Sequence, residues 1–271
     1  LWTCPGPHDF HEGDGLQIAR SRDHCLVYAS VAEAGAGLRN LSRELYDAML
    51  TGERLRDYPH IVKAWNYIAE INEGEADDER YKQFCLGRGE VYDALLPESG
   101  RAPSATAIGS APGEPLTVML LLARRDVSTF ENPRQVSAFR YPRQYGPRSP
   151  NFSRAALLDA AGGHQLFISG TAAIVGHESR HHEDVSGQLA ETVNNLESLF
   201  EEAGQRIGTS GVGFSPSCHL RVYVRHAKDA ERVTAALAPL VPAPENLVLL
   251  EGAICRSELL VEMDGIIDEL P

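Results

Sequence analysis

The order of hydrophobic patterns after residue 164 restricts this chain to few folds. Strands show an apolar residue at every second position or are apolar throughout, whereas helices repeat apolar residues every three or four positions. Six segments follow one another as strand, helix, strand, helix, strand and strand, at residues 165–170, 186–203, 219–225, 229–240, 247–250 and 258–264. We expect Gly204 to end the first of these helices and Asp229 to cap the second. This order predicts an α+β fold with helices packed on one face of a mixed sheet.

The first third of the chain predicts a mixed α/β arrangement. Apolar side chains recur at helical spacing in residues 38–50, just before Gly52, and again in residues 77–95. The segment 97–115 is rich in Pro, Ser and Gly, and we interpret it as a loop at a domain boundary.

After this loop, residues 116–123 predict a buried strand and residues 126–150 an irregular, Pro-rich segment. A chain of 271 residues is long enough for one large or two modest domains. We therefore predict an N-terminal α/β domain of residues 1–110 and a core domain of residues 111–271, with the functional site at their interface.

The charge balance excludes one class of partner. The net charge is −13, and a surface this acidic repels phosphate backbones, so we expect no nucleic-acid partner. The longest apolar run, residues 118–123, is far shorter than the roughly 20 residues of a membrane span, so we expect no membrane partner. The first residues show no basic segment followed by an apolar one, and we expect no signal peptide.

The cysteines indicate a reducing compartment. There are five, an odd number, and none shows CxxC spacing. This argues against a disulfide framework and against a cysteine-based zinc site. We therefore expect a cytoplasmic protein.

One segment departs from the acidic balance, because residues 132–158 contain no Asp or Glu. The same segment holds five arginines: Arg134, Arg140, Arg143, Arg148 and Arg154. Local positive charge of this kind suits a small anionic ligand. The alternative interpretation is a solvated loop.

Residues 166–267 resemble the YjgF/RidA family. The resemblance rests on a strand ending in SGT, the helix QLAETVNNLESLFEEAG, the segment LRVYVRHAKD and the closing segment ICRSELLVEMDGII. It implies a RidA-like fold for the core domain and a related, smaller fold for the N-terminal domain. It says little about function, because one fold carries many functions.

A second resemblance runs over nearly the whole chain. The segments AWNYIAEIN (64–72), ERYKQFCLGR (79–88), ENPRQVSAFRYPRQYGPRSPNFSRA (131–155), FISGTAAIVGHESRHHEDVSGQ (167–188) and ICRSELLVEMDG (254–265) are similar to the chorismatases. Long segments that match in the same order are stronger evidence than any short motif. The resemblance implies chorismate as the small-molecule substrate and no cofactor or metal.

Chorismate carries two carboxylates and an acid-labile enol ether, so its site needs two cationic anchors and a proton donor. The resemblance places the anchors on Tyr81 with Arg88 and on Tyr141 with Arg154. Tyr81 and Arg88 are seven residues apart in the predicted helix, so both project from one face. The alternative is that Tyr81 packs in the core and Arg88 extends into solvent.

The resemblance places the catalytic acid at Glu262. In the predicted strand 258–264, Leu260, Glu262 and Asp264 share the face opposite Val261 and Met263. If that face lines the pocket, desolvation raises the pKa of Glu262 and keeps it protonated near neutral pH; otherwise Glu262 faces solvent. The implied role is protonation of the enolpyruvyl methylene, which gives an oxocarbenium ion open to attack by water or by the C4 hydroxyl.

At positions 170 and 255, the glycine and cysteine of this chain resemble the residues of the chorismatase branch that forms 3-hydroxybenzoate. The branch that only hydrolyses the ether resembles this pattern less, because it carries alanine at both positions. The missing methyl at residue 170 leaves room for the substrate to shift. Cys255 adds a polarisable group beside the ring, although inert packing is the alternative. The branch implies internal attack by the C4 hydroxyl, an epoxide-like species, and 3-hydroxybenzoate and pyruvate as products with no net water.

Two further motifs do not indicate a metal site or a nucleotide site. The segment HESRHHED (177–184) is rich in metal-ligating residue types, but its spacing fits no zinc pattern, and we interpret it as a loop, with His177 able to line the pocket mouth. The segment FISGTAAIVG (167–176) lacks the GxGxxG pattern of a nucleotide site.

Several alternatives stay open at this point. Within the family, the product could be a trans-dihydrodiol or a mixture of 3- and 4-hydroxybenzoate. Outside it, a RidA-like imine or enamine hydrolase would leave the N-terminal third unexplained. A non-catalytic carboxylate-binding protein would keep Arg88 and Arg154 and have no use for Glu262. The chain could be a monomer or a trimer.

Overall fold

The computed structural model describes residues 7–35, 37–96, 102–160 and 163–270. Within these ranges the chain forms two large mixed sheets, a two-stranded ribbon and four α-helices. The helices are α1 (Leu38–Thr51), α2 (Arg80–Leu95), α3 (Val185–Ile207) and α4 (Ala230–Leu237). The strands are β1 (Asp9–Gly13), β2 (Leu16–Arg20), β3 (His24–Val31), β4 (His60–Ala69), β5 (Ser104–Ser110), β6 (Leu116–Ala123), β7 (Val127–Phe130), β8 (Ala155–Ala160), β9 (Gly163–Ala172), β10 (Ile174–Val175), β11 (Glu178–Ser179), β12 (Cys218–Val224), β13 (Leu247–Glu251), β14 (Ala253–Ile254) and β15 (Val261–Leu270). No helix in the described ranges is long and apolar enough to cross a membrane.

The first sheet combines strands from both ends of the chain. Its order is β1-β2-β3-β6-β4-β5-β14, in which β4 and β5 run parallel. Strand β6 lies between β3 and β4, and β14 pairs with β5. Both β6 and β14 follow the boundary predicted at residues 110/111, so this sheet extends well beyond the predicted N-terminal domain.

The second sheet has the order β13-β12-β15-β9-β8-β7, in which β12 and β13 run parallel. Helices α3 and α4 pack on one face of it through apolar residues such as Leu196, Phe200 and Val233. Helices α1 and α2 cover the outer face of the first sheet in the same way. The predicted α+β class, with helices on one face of mixed sheets, is confirmed.

The inner faces of the two sheets pack against each other. Trp65 and Leu121 of the first sheet meet Ala156, Leu158 and Phe167 of the second. The molecule therefore has four layers, in the order helices, sheet, sheet, helices. Strands in the middle of such a stack have both faces covered, which explains why most residues of β4 and β9 are buried instead of alternating between buried and exposed.

A β-bulge interrupts β9 where it pairs with β15. Met263 pairs with Thr171 and Gly265 with Ile168, so Ser169 and Gly170 together lie opposite Asp264. A bulge adds one residue to one strand, bends it and changes the direction of nearby side chains. This bulge lies at Gly170, one of the predicted site residues.

The predicted loop at residues 97–115 is wrong in its centre, where residues 104–110 form β5. Residues 97–101 lie outside the described ranges. Most residues of β5 (SATAIGS) are smaller than those typical of strands. Neighbouring residues pack so closely against it that larger side chains do not fit. A Cβ at Gly109, for example, would lie 2.6 Å from Cγ2 of Ile71 and 2.8 Å from Cβ of Ala253.

Two helix ends also differ from prediction. Asp229 has helical dihedral angles and its side chain makes no capping hydrogen bond, since the chain enters α4 through the 3-10 turn Ala227–Asp229. Helix α3 continues through Gly204 to the left-handed Gly208. Gly204 allows a close approach instead, because a Cβ there would lie 2.6 Å from the carbonyl oxygen of Thr209. Strand β15 begins at Val261, three residues later than predicted.

Candidate active site

A cavity of about 250 Å³ lies between the two sheets, near the N-terminal end of α2. Most of the predicted site residues line it, and they come from distant parts of the chain: Tyr81, Tyr141, Arg154, Gly170, Cys255 and Glu262. Arg88 is not among the lining residues. The fold thus brings these positions to one place, and their chemical roles stay predictions.

Glu262 projects into the cavity from β15, whose neighbours on either side are β9 and β12. Its side chain is 4% exposed. Burial, with the nearby charge of Asp264, raises the pKa of Glu262 to about 8, while Lys63 and Arg154 oppose that shift. The group is therefore mainly protonated at neutral pH and is able to donate a proton.

Gly170 allows the Glu262 carboxyl group to occupy its position. A Cβ on Gly170 would lie 2.8 Å from Cδ of Glu262 and would overlap Oε1. The β-bulge brings the β9 backbone this close to the acid. Any larger residue at position 170 must therefore displace the carboxyl group.

Cys255 follows β14 and forms part of the cavity wall. It packs against the apolar cores of both the first sheet and the region between the sheets. Burial raises the pKa of its thiol, and the neighbouring charge of Glu262 acts in the same direction. Cys255 is therefore a neutral thiol beside the acid.

Tyr141 and Arg154 form a rigid pair on the cavity wall. Nη2 of Arg154 donates to Oη of Tyr141 over 2.7 Å and to the carbonyl oxygen of Val136 over 2.9 Å. The guanidinium also lies over the ring of Phe152, 5.1 Å from its centroid. Its Nε is buried without a hydrogen-bond partner. A buried guanidinium with an unpartnered N–H is suited to bind a carboxylate.

Tyr81 and Arg88 both lie on the buried face of α2, at different depths. Tyr81 lines the cavity, whereas Arg88 is 1% exposed and its guanidinium lies over the rings of Phe84 and Tyr92. Arg88 acts electrostatically on the pKa of Tyr81, which burial raises well above its ordinary value. Nε and Nη2 of Arg88 are buried without a hydrogen-bond partner. The spacing of seven residues predicted a shared face, but it carries no information about depth.

The other arginines of the acid-free segment are mostly paired with acidic residues of neighbouring elements. Arg143 binds Asp77, Arg148 binds Asp93, and Arg134 binds Glu191. Of the arginines in this segment, Arg154 is the one that lines the cavity.

Arg256 is a cavity residue that the sequence analysis missed. Its Nη1 donates to the carbonyl oxygen of His177 over 2.9 Å, and its guanidinium lies 3.9 Å from the ring centroid of Tyr145. Its Nη2 is buried without a partner. Arg256 stands alone in a short irregular segment, so neither periodicity nor a charge cluster marked it. Its place beside Cys255 was the available signal.

The segment HESRHHED forms β11 and the turn before α3. His177 accepts or donates a 3.2 Å hydrogen bond with Oη of Tyr145 but does not line the cavity. His181 lies 3.4 Å from Glu191. Within the described part of the chain, no group of three or more His, Cys, Asp or Glu residues is placed to hold a metal ion.

Comparisons with known proteins find relatives over nearly the whole chain. A family model described as "Chorismatase FkbO/Hyg5-like, N-terminal" matches residues 1–123. A chorismatase from Streptomyces rapamycinicus is 36% identical over 98% of this chain and 81% of its own length. A 3-hydroxybenzoate synthase from Streptomyces hygroscopicus is 31% identical over 98% of this chain and 80% of its own. A crystal structure of a chorismatase is 33% identical, with a TM-score of 0.87, covering 96% of this chain and 79% of that one.

Proposed function

Because this chain belongs to the chorismatase family, we propose that it converts chorismate to 3-hydroxybenzoate and pyruvate. One observation carries the proposal: the buried Glu262 carboxyl group, with its pKa raised to about 8, shares a cavity with Arg154 and Arg256. A protonated acid beside two cations that each keep a spare N–H group matches a substrate that is a dianion and breaks down by proton transfer.

Glu262 is the catalytic acid of this proposal. It donates its proton to the enolpyruvyl methylene carbon, which leaves an oxocarbenium ion at the ether carbon and a carboxylate on Glu262. The charges of Lys63 and Arg154 stabilise that carboxylate, since both lower the pKa of Glu262. The C4 hydroxyl oxygen then bonds to ring carbon C3 as the C3–O bond of the ether breaks; pyruvate leaves with the ether oxygen, and the hydroxyl proton returns to Glu262. The resulting epoxide-like species isomerises to 3-hydroxybenzoate: its C4–O bond breaks, the ring loses one proton to become aromatic, and the oxygen on C3 gains one. Chorismate equals hydroxybenzoate plus pyruvate, so the step needs no net water and no oxidant.

Arg154 and Tyr141 bind one substrate carboxylate. Arg154 is held in place by its bonds to Tyr141 and Val136, so little side-chain entropy is lost when a ligand binds. For the second carboxylate, Arg256 presents an unpartnered Nη2 at the cavity. Tyr81 and Arg88 lie on the α2 side, and among the described residues Nε and Nη2 of Arg88 have no hydrogen-bond partner, which favours a nearby anion.

Gly170 and Cys255 favour the 3-hydroxybenzoate branch. Without a side chain at residue 170, the Glu262 carboxyl group lies against the β9 backbone and leaves space in the cavity for the ring. The neutral Cys255 thiol lies beside the same acid. Internal attack by the C4 hydroxyl requires that its oxygen lie against ring carbon C3 and that water be kept from the oxocarbenium ion.

The test is an incubation of the purified protein with chorismate, without added metal or cofactor, followed by chromatography and NMR of the products. We expect 3-hydroxybenzoate and pyruvate in equal amounts. A non-aromatic dihydrodiol would keep the family and contradict the proposed branch.

Glu262→Gln is the matched variant for the same assay, because it keeps size and polarity but has no proton to donate at neutral pH. Loss of one general acid lowers kcat by about 100- to 10,000-fold. Binding of chorismate, measured by calorimetry, should persist. Normal turnover by this variant would show that Glu262 is not the acid.

A further inference from the structure

A cluster of buried charged residues lies between the two sheets, directly behind Glu262. Its centre is Asp264, which is 0% exposed, and its other members are Lys63, Arg221 and Thr106. The proposed reaction uses Lys63 only as a nearby charge and gives Asp264 no role. Buried charges are costly unless they are paired, so a cluster of this kind needs an explanation.

The Asp264 carboxylate has a complete set of donors. Arg221 binds it with both arms of its fork, from Nε to Oδ1 over 2.9 Å and from Nη2 to Oδ2 over 2.7 Å. The hydroxyl of Thr106 donates to Oδ2 over 2.6 Å. Nζ of Lys63 lies 3.7 Å from the same oxygen. These partners come from β12, β5 and β4, so both sheets fix this negative charge in position.

Lys63 is itself anchored by bonds that do not depend on Asp264. Its Nζ donates to the carbonyl oxygen of Ile168 over 2.6 Å and to Oγ1 of Thr106 over 2.9 Å. Burial lowers the pKa of Lys63 to about 8. Of the two cations that contact Asp264, Arg221 is the one that stays charged, because a guanidinium keeps its proton at all relevant pH values.

Asp264 and Glu262 are two residues apart on β15, so their side chains project from the same face, with Cα atoms about 7 Å apart. The other charged or titratable groups that act on Glu262 come from facing elements: Lys63 from β4, Arg154 from the segment before β8, and Cys255 after β14. Lys63 and Arg154 favour the carboxylate form of Glu262, and the neutral Cys255 thiol adds no charge. Asp264 is the neighbour whose fixed charge favours the protonated form.

We propose that Asp264 is a positioning residue that acts through Glu262: its anchored negative charge adds to the effect of burial and favours the protonated form of the Glu262 carboxyl group in the empty enzyme. Arg221, Thr106 and Lys63 hold that charge in place. The proposal rests on the function proposed above only in taking Glu262 as the acid. A purely structural cluster would join the two sheets and affect stability, but it would leave the protonation of Glu262 unchanged.

The experiment measures the protonation of Glu262 directly and without substrate. A protonated carboxyl group gives an infrared C=O stretching band that disappears when the group ionises, and the Glu262→Gln variant identifies the band by its absence. In the unaltered protein we expect the band to be lost near pH 8, as the pKa of Glu262 predicts. Asp264→Asn removes the negative charge and leaves the positive charge of Arg221. We expect the band to be lost about one to three pH units lower.

The matched control is Asp268→Asn, the same chemical change on the same strand. Asp268 accepts a 2.8 Å hydrogen bond from Gln165 and is not part of the cluster or of the cavity. We expect this variant to lose the band at the pH of the unaltered protein. In Asp264→Asn, the fall of kcat/KM at alkaline pH should shift to lower pH together with the loss of the infrared band. In Asp268→Asn, it should occur at the same pH as in the unaltered protein.

Lys63→Met provides a test of opposite sign that does not depend on the folding of Asp264→Asn. It removes a charge that favours ionised Glu262 and leaves Asp264 bound by Arg221 and Thr106, so the band should persist to higher pH. A folded Asp264→Asn protein with an unmoved band, or a Lys63→Met protein whose band moves down or not at all, would overturn the proposal. If Glu262→Gln turned over chorismate normally, Glu262 would not be the acid of the reaction, while these band shifts kept their meaning.

Discussion

At the scale of single residues, three arginines in or near the cavity have N–H groups without a hydrogen-bond partner among the described residues. Nε of Arg154 and Nη2 of Arg256 are such groups on cavity-lining residues, whereas Nε and Nη2 of Arg88 belong to a residue outside the lining. A buried N–H of this kind costs about 1–3 kcal/mol, and more on a charged group. A bound dianion would supply the missing acceptors, so the arrangement costs stability in the empty protein and favours binding of an anion.

Gly170→Ala is expected to lower turnover by about 100-fold, because the new methyl group displaces the Glu262 carboxyl group from its position against β9. Steady-state assays and product analysis by chromatography check this, and the share of 3-hydroxybenzoate should fall. Gly213→Ala is the control, since a Cβ there meets no atom within 4 Å. Equal loss of activity in both variants would point to general instability instead of a displaced acid.

The pH dependence of kcat/KM follows from the protonation state of Glu262. In the proposed mechanism the protonated form of Glu262 is the active one. Since its pKa is raised to about 8, kcat/KM should be constant below pH 7 and fall as the pH rises through 8. The substrate carboxyl groups are ionised throughout this range. An activity that rises with pH across the same interval would mean that Glu262 acts as a base.

At the scale of elements, the short segment after β14 carries two cavity residues, Cys255 and Arg256, without regular secondary structure. Arg225 braces it by donating to the carbonyl oxygens of Ile254, Arg256 and Leu259, over 3.0, 2.8 and 2.7 Å. Gln188 of α3 adds bonds to the carbonyl oxygen of Glu258 and the amide of Leu260. The precision of this part of the cavity therefore comes from side chains of neighbouring elements.

Arg225→Met should lower the free energy of unfolding by on the order of 3 kcal/mol, because it leaves several buried carbonyl oxygens without donors. Urea unfolding measures this directly. Arg56→Met is the comparison: Arg56 is exposed and pairs only with Glu53 in the adjacent turn, and its loss should cost less than about 1 kcal/mol. Similar effects of the two substitutions would show that the brace contributes little.

The elements that sequence could predict are those with strong periodicity. Helix α1 begins at the predicted residue and ends within one residue of it, because Leu38, Leu41, Leu45 and Met49 form one continuous buried stripe. Strand β5 was not predicted because its small residues are required by the close packing of neighbouring strands. A local sequence pattern contains no information about those neighbours. The alternation around Glu262 was sufficient to place it with Asp264 on one face. The depth of Arg88 and the position of Arg256 depend on tertiary packing, and no spacing rule reveals them.

At the scale of the whole molecule, the first sheet takes strands from both sides of the predicted domain boundary and packs face to face on the second. Strands β6 and β14 belong to the first sheet although they follow the predicted boundary at residues 110/111. The apolar cluster of Trp65, Leu121 and Phe167 joins the sheets along their inner faces. The Asp264 cluster adds ionic contacts across the same interface.

A fragment of residues 1–110 is therefore expected not to fold. It lacks β6, which lies between β3 and β4, so its remaining strands cannot form a continuous sheet. Circular dichroism of the fragment should show little ordered structure, whereas the full chain should unfold in urea in a single transition. A folded fragment, or two separate transitions in the full chain, would support the two-domain division instead.

The position of β14 also has a consequence for biosynthesis. A ribosome delivers the chain from its N-terminus, and the strand that completes the edge of the first sheet is Ala253–Ile254. Cys255, Arg256 and Glu262 emerge only after it. Until Ala253–Ile254 has been synthesised, the nascent chain therefore has an open sheet edge, exposed to the association that free edges favour. The cavity can be completed only after Glu262 has emerged.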